Sequence, residues 1–289
     1  MLGIFSALLG AFGFGTANIV IKKSLGNLTA PQILMMSTLS GIGWLLLLML
    51  ASRAELSFSG RDVGLALGLA AMEVGLYLLL YKTFEVSNVA VATSLININP
   101  ILATLVAAGV FQEVINGSQW AAIGLLVLGA VGVSLDWSAL TKTGWKIRVL
   151  VKGWPWILVS LLIHAAYFPL LGQFTTTGSW ESKLLLIKLL SALLLVGFFG
   201  LRRKSRLLPP QNRVAFLSLL GLLEMMGWAG FSWAANSTLG QTAVLIAILN
   251  SAPLITIIWA YFILREKLSK FQYLSMGLIV AGLTWLGLK

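Results

Sequence analysis

Two glutamates stand inside long apolar runs: Glu73, within Val63 to Tyr81, and Glu224, within Val214 to Ala235. An ionised carboxylate at the centre of a bilayer costs about 2.5 to 3.5 kcal/mol on insertion scales, so such a residue belongs to a polar cavity or is kept neutral. Desolvation disfavours its charged form, which suits a group that takes up and releases protons. The plainer reading is a protonated side chain hydrogen-bonded to a neighbouring helix. A second polar set surrounds two prolines: Asn97, Asn99 and Pro100 in one run, and Asn250, Ser251 and Pro253 in another. Proline has no N–H and clashes with the turn before it, so the carbonyls of Ile96 and Leu249 are expected to lose their helical partners. Freed carbonyls beside amide side chains are tolerated at membrane depth only where protein or a water-filled cavity covers them. These positions are expected to line a substrate path, against the alternative of packing kinks and interhelical hydrogen bonds.

The single histidine, His164, is followed in its run by Tyr167 and Pro169. His164 and Tyr167 are candidates for substrate contact, and the imidazole also for titration. Asn18, Tyr77, Trp228 and Trp233 are candidates to line the same cavity, where aromatic faces suit an amphipathic or cationic ligand. Lys188 is expected to lie about one turn inside its helix and to snorkel to the nearer interface. Glu113 and the Arg265, Glu266, Lys267 cluster are expected to cap helices and anchor loops. The recurrent pairs Gly64 and Gly68, Gly124 and Gly129, and Gly277 and Gly282, with Gly10, Gly13 and Gly15, read as sites of close helix approach.

The elements that must position these residues are membrane helices. The chain has 289 residues, 58% hydrophobic and only 10% charged, against about 25% charged in soluble domains. About ten runs are long enough to span: Leu2 to Ile21, Pro31 to Ala51, Val63 to Tyr81, Val89 to Phe111, Ser118 to Leu135, Trp154 to Phe174, Leu184 to Leu201, Val214 to Ala235, Thr242 to Leu264 and Phe271 to Leu288. The first lacks the basic flank and cleavage pattern of a signal peptide and is expected to remain as a helix. There is no cysteine and one histidine, so neither a thiol nor a histidine metal site is expected, and no cofactor. The net charge of +11 does not indicate a nucleic-acid partner, because the basic residues lie in short connections between apolar runs.

The second half repeats the first. A constant offset of 153 residues pairs Gly68 with Gly221, Asn97 with Asn250, Pro100 with Pro253, Glu113 with Glu266, Gln119 with Gln272, Gly124 with Gly277 and Gly129 with Gly282. Five runs fall in each half, and an odd number makes the second bundle enter from the opposite face. The expected fold is an all-α integral membrane protein with ten transmembrane helices as two inverted five-helix repeats. The repeats would be residues 1–136 and 154–289, joined by a basic connection at 137–153. Fifteen of the 20 basic residues fall in the odd-numbered connections, which places those in the cytoplasm and both termini outside.

The stretch Arg265, Glu266, Lys267, Leu268, Ser269, followed by Gln272, Gly277, Leu278, Ile279 and Gly282, resembles the close of an EamA domain of the drug/metabolite transporter superfamily. The first half keeps Glu113, Gln119, Gly124 and Gly129. The resemblance spans the chain and implies carriage of small molecules, among them amino acids, other metabolites, drugs, nucleotide sugars or lipid-linked sugars. It also implies cytoplasmic termini, opposite to the charge bias.

The resulting expectation is a multi-pass protein of the cell (inner) membrane, monomer or homodimer. It would be a secondary transporter, exporting small metabolites such as amino acids or amphipathic and cationic compounds by alternating access. The alternative is a flippase of lipid-linked sugars. No nucleotide-binding motif appears, so an ion or substrate gradient must supply the energy. Intramembrane catalysis is not expected: there is no Gly-x-Ser-x-Gly elbow and no membrane aspartate pair.

Overall fold

A computed structural model describes residues 2–25, 27–86, 96–134, 154–200, 208, 210–237, 242–264 and 269–287, and every extended element among them is a helix. In chain order these are α1 (Leu2–Ser24), α2 (Ala30–Ser52), α3 (Gly60–Val86), α4 (Asn99–Val110), α5 (Gly117–Ser134), α6 (Trp154–Thr175), α7 (Trp180–Leu195), α8 (Val214–Ser237), α9 (Thr242–Leu249), α10 (Ala252–Leu264) and α11 (Lys270–Gly287). A π-helical turn, Val196–Gly200, extends α7, and a 3-10 turn, Gln211–Arg213, leads into α8.

Seven segments among the described residues are long and apolar enough to cross a bilayer: Gly3–Ile21, Ala30–Ser52, Gly60–Lys82, Pro155–Thr175, Trp180–Phe199, Gln211–Ser237 and Thr242–Ile263. Of the ten expected spans, the fourth and fifth appear as the shorter apolar helices Asn99–Val110 and Gly117–Val133. The tenth, α11, opens on Lys270 and Gln272, which dilute its apolar character. The start of the fourth span at 89–95, the connection 137–153 and the cluster 265–268 lie outside the described residues.

Local chemistry sets the helix starts. At α5, the Asn116 backbone N–H donates to Gln119 Oε1 (3.0 Å) and the Gln119 N–H donates to Asn116 Oδ1 (2.8 Å). At α11, 153 residues on, Ser269 and Gln272 make the same reciprocal pair at 2.8 and 3.2 Å. Each satisfies two N–H groups that a helix start leaves open. Glu113 caps as expected: its Oε2 accepts from the Ala243 N–H in the first turn of α9 (3.1 Å).

Helices of the two halves pack against each other. The most extensive contacts join α1 to α8 and α5 to α11, followed by α2 to α8, α3 to α6 and α3 to α7. Glycine makes these approaches possible. A Cβ on Gly13 would stand 2.5 Å from the Leu223 carbonyl, and one on Gly230 2.6 Å from the Ser6 carbonyl. Gly129 faces Ile279 and the Ser275 carbonyl at 2.6 and 2.7 Å, and Gly282 faces Leu126 at 2.8 Å. Gly64, Gly68, Gly124 and Gly277, expected to do the same, have nothing within 4 Å of a built Cβ. They lie on helix faces turned away from the contacts, so spacing alone does not identify a packing glycine.

Candidate functional site

Two stripes of polar and aromatic side chains face the interior. On α3 they are Glu73, Tyr77 and Tyr81; on α8 they are Glu224, Trp228 and Ser232. Spacing of four residues keeps each set on one helix face, and all six side chains are buried. The α7 residues Lys188 and Ser191, three apart and both buried, meet the first stripe. Lys188 Nζ forms an ion pair with Glu73 Oε1, and Ser191 Oγ donates to Glu73 Oε2 at 2.9 Å.

Lys188 therefore does not snorkel. Because α7 begins at Trp180 and not at the expected Leu184, Lys188 lies eight residues, about 12 Å, inside the helix. Its ammonium also stands 5.0 Å from the Trp228 ring centroid, within cation–π range. Lys183, one turn into α7 and also buried, donates to the Phe174 carbonyl at 2.7 Å and lies 3.7 Å from Asp62.

Glu224 lies beside Ser37 of α2, whose Oγ donates to the Leu34 carbonyl at 3.2 Å, and within electrostatic range of both Lys188 and Glu73. Its Oε1 has no hydrogen-bond partner, and the same holds for Tyr81 Oη, Trp228 Nε1 and Ser232 Oγ. One ammonium thus faces two carboxylates: the cluster carries a net negative charge when both are ionised and is neutral with one proton or one further cation bound. Aromatic rings enclose it. Phe14, Tyr167 and Phe168 lie 5.0, 5.4 and 5.6 Å from Trp228 between centroids, with Phe168 stacked and the other two edge-on, and Tyr77 stands at 6.5 Å.

The amide residues form a second group. Ile96 is helical, Asn97 and Ile98 form a turn, and α4 restarts at Asn99; likewise α9 ends at Leu249, Asn250 and Ser251 form a turn, and α10 starts at Ala252. The prolines do more than kink: Pro100 and Pro253 sit in the first turn of a new helix, where their missing N–H is harmless. The two breaks touch. Asn250 Nδ2 donates to the Asn97 carbonyl at 2.9 Å, and Asn97 Nδ2 donates to the Ala130 carbonyl at 3.4 Å. Asn99 is buried beside them, with Oδ1 unpaired.

The expected residues are therefore not all brought together. Glu73, Tyr77, Tyr167, Glu224 and Trp228 share one cluster; Asn97, Asn99, Pro100, Asn250 and Pro253 form the crossed breaks. Helix α1 lies between the groups, since a Cβ on Gly10 would meet the Leu249 side chain at 2.9 Å and the Gly227 carbonyl at 3.1 Å. His164 is half-buried and hydrogen-bonds within its own helix, Nδ1 donating to the Ser160 carbonyl at 2.8 Å, with Phe168 beside it at 6.3 Å. Asn18 is exposed and donates to Thr256 Oγ1 of α10 at 3.2 Å, and Trp233 is 40% exposed. Neither reaches the carboxylates. Sequence reasoning missed Lys188, Ser191, Ser37, Tyr81 and Ser232 as site residues. A lysine inside an apolar run and the two four-residue stripes were the available signals. No group of three or more His, Asp or Glu able to hold a metal occurs among the described residues.

One solved structure, titled only as the crystal structure of a protein, superposes with a TM-score of 0.78 over 99% of this chain and 98% of that one, at 15% sequence identity. At that identity the likeness establishes the fold alone. No curated protein matches the sequence. The EamA-like transporter family matches residues 1–135 and 151–288, which include both polar groups and both halves. This polytopic helical protein therefore belongs to the EamA-like transporter family of the drug/metabolite transporter superfamily.

Proposed function

We propose that the chain is a secondary transporter working by alternating access, with two inverted five-helix repeats, residues 1–136 and 154–289, rocking around the carboxylate cluster. Its cargo in this reading is a small metabolite, an amino acid or an amphipathic or cationic compound, moved outward across the cell membrane by a monomer or homodimer. The packing supports two interchangeable repeats. Numbering spans within each half, the α1–α8 contact has its counterpart in α6–α3 and α2–α8 in α7–α3; α1 against α9 and α10 corresponds to α6 against α4, while α5–α11, α2–α7 and α4–α9 map onto themselves. Exchange of this kind is what a pseudo-two-fold axis in the membrane plane produces.

The single observation that carries the proposal is the buried cluster itself. Glu73 and Ser37 come from the first half and Lys188, Ser191 and Glu224 from the second. Intramembrane ionisable groups are costly and mark substrate or ion pathways by default, and a cluster shared between halves is one that their relative motion opens and closes. The test is counterflow in proteoliposomes, with labelled amino acids and amines as the panel. Accumulation driven by unlabelled cargo inside is expected, reduced at least tenfold by Glu224→Gln; equal accumulation in protein-free vesicles across the whole panel refutes it.

A further inference from the structure

Helices α2 and α7 each use their first turn to grip the other half. Thr29 and Ser179 are the N-caps, and Gln32 and Ser182 stand three residues beyond them. Ser182 Oγ donates to the Glu55 carbonyl, just past the end of α2, at 2.6 Å; Gln32 Nε2 donates to the Leu208 carbonyl, past the end of α7, at 3.3 Å. The two helices are thus antiparallel, and their first turns lie at opposite faces of the membrane. The accepting positions differ by 208 − 55 = 153, the repeat offset. Equivalent in place, the two contacts are unequal in strength. The Gln32 bond is long and exposed. Ser182 is completely buried and also accepts from the Ser57 N–H at 3.2 Å, and beside it the buried Lys183 Nζ lies 3.7 Å from Asp62 Oδ1.

Each half holds its own part of these contacts ready. The Ser59 N–H and Oγ both donate to Asp62 Oδ2, at 2.7 and 2.8 Å, which leaves Oδ1 to face Lys183. Lys183 Nζ donates to the Phe174 carbonyl at 2.7 Å and lies 4.6 Å from the Phe174 ring centroid, so the α6–α7 corner keeps its ammonium when Asp62 leaves. Gln32 is built alike: its Oε1 accepts from the Thr29 N–H at 3.0 Å within one half, and its Nε2 reaches across to the other. Separating the halves breaks the crossing contacts and spares these internal ones. Water has access as well, because a cavity of about 360 Å³ opens beside Ser57, Asp62, Thr177 and Lys183 and hydrates the groups that opening releases.

We propose that these equivalent contacts are a pair of opposed clasps, one for each membrane face, and that the structure is latched at the face carrying the α2–α3 and α6–α7 connections. Ser182, Asp62 and Lys183 are the positioning residues of the engaged clasp, and Gln32 is that of the slack one. The inference rests on the carrier reading and assigns the devices that hold its two end states. A contact made in one state biases the equilibrium by its own free energy. Weakening the Ser182 clasp therefore favours the state open at this face. Weakening the Gln32 clasp, which tightens in that open state, disfavours it.

The test uses the full-length chain in oriented proteoliposomes, with Ser232→Cys as reporter in a background free of cysteine. Ser232 is buried, and α8 ends at Ser237 on this face, where Asn236 Nδ2 donates to the Thr175 carbonyl of α6 at 2.9 Å. Labelling of the reporter from this face by a membrane-impermeant maleimide is expected to run roughly fivefold faster with Ser182→Ala, which removes two hydrogen bonds, and about twofold slower with Gln32→Ala. Asp62→Asn should act in the same direction as Ser182→Ala. A reducible crosslink between Ser57→Cys and Ser182→Cys, without the reporter, should stop counterflow, and reduction should restore it. Should Asp62→Asn fail to fold, Ser182→Ala and the crosslink still decide. A clasp that merely braces the fold would lower the thermal midpoint and leave the labelling rates alone; that result, equal acceleration from both faces, or acceleration by Gln32→Ala overturns the proposal. The expected labelling changes without counterflow of any cargo uphold the clasps and remove the carrier reading. Counterflow that continues through the closed crosslink keeps the carrier reading and overturns the clasps.

Discussion

Replacing Lys188 with methionine should destabilise the protein more than replacing its partner Glu73 with glutamine, and the asymmetry follows from the third charge. Lys188 and Glu73 are 3% and 2% exposed, and breaking a buried ion pair by removing one member costs about 3 to 5 kcal/mol because the other charge stays behind uncompensated. Methionine preserves most of the lysine volume, so packing changes little. With Lys188 gone, Glu73 and Glu224 face each other with no cation. With Glu73 neutral, Lys188 still has Glu224 within electrostatic range and can pair with it, which offsets much of the loss. At roughly 2 to 4 °C per kcal/mol, Lys188→Met is expected to lower the thermal midpoint in detergent by about 6 to 20 °C, and Glu73→Gln by under half of that. The double variant, lacking both charges, should be more stable than Lys188→Met alone, with a coupling of about 1 to 3 kcal/mol. Thermal and denaturant unfolding of the four proteins completes the cycle. A Glu73→Gln loss equal to or greater than that of Lys188→Met, or strictly additive effects, would refute the three-charge reasoning.

Other perturbations separate packing from capping. Gly129→Ala places a Cβ 2.6 Å from Ile279 and 2.7 Å from the Ser275 carbonyl, so a loss of about 1 to 3 kcal/mol is expected. Gly124→Ala, with nothing within 4 Å, should gain up to about 1 kcal/mol in helix propensity; differential scanning of the pair reads both signs. Glu113→Ala removes the acceptor at the start of α9 and should cost about 1 kcal/mol, visible as faster amide exchange at Ala243 and Val244. Asn250→Ala strips the Asn97 carbonyl of its 2.9 Å donor, with an expected loss of about 1 to 3 kcal/mol and slower counterflow, as the crossed breaks lose their register.

Much of this architecture is legible in the sequence because bilayers punish exceptions. The long apolar runs could only be membrane helices, and Pro100 and Pro253, paired by the repeat offset, lie beside breaks at matched positions. Glu113 caps a helix as its place at a run end implied; Gln119 and Gln272, which the sequence marks only as repeat equivalents, cap helices as well. The site was legible only by halves. Glu73 and Glu224 stand out wherever they occur, but Lys188 looked like a snorkelling residue because an apolar run does not reveal where its helix starts. Ser191, Ser37 and Ser232 carry no individual signal in a membrane helix, where serine commonly bonds back to its own turn. Their meaning depends on which helices face each other. Asn18 and His164 failed as members of the cluster for the same reason: rarity marks a polar residue, and packing decides what it meets.

In the proposed transport cycle the carboxylate cluster opens alternately to the two sides of the membrane. The chain contains no cysteine, so Ser232→Cys and Ser191→Cys can be introduced singly into the native background. Their labelling by a membrane-impermeant maleimide can then be followed from each face of oriented proteoliposomes. Both serines are 1% exposed or less in this state. Labelling is predicted from one face without cargo and from the opposite face, at least tenfold faster than before, when cargo is added. Cysteines that stay unreactive from both faces under every condition, yet react fully after unfolding, would contradict the account.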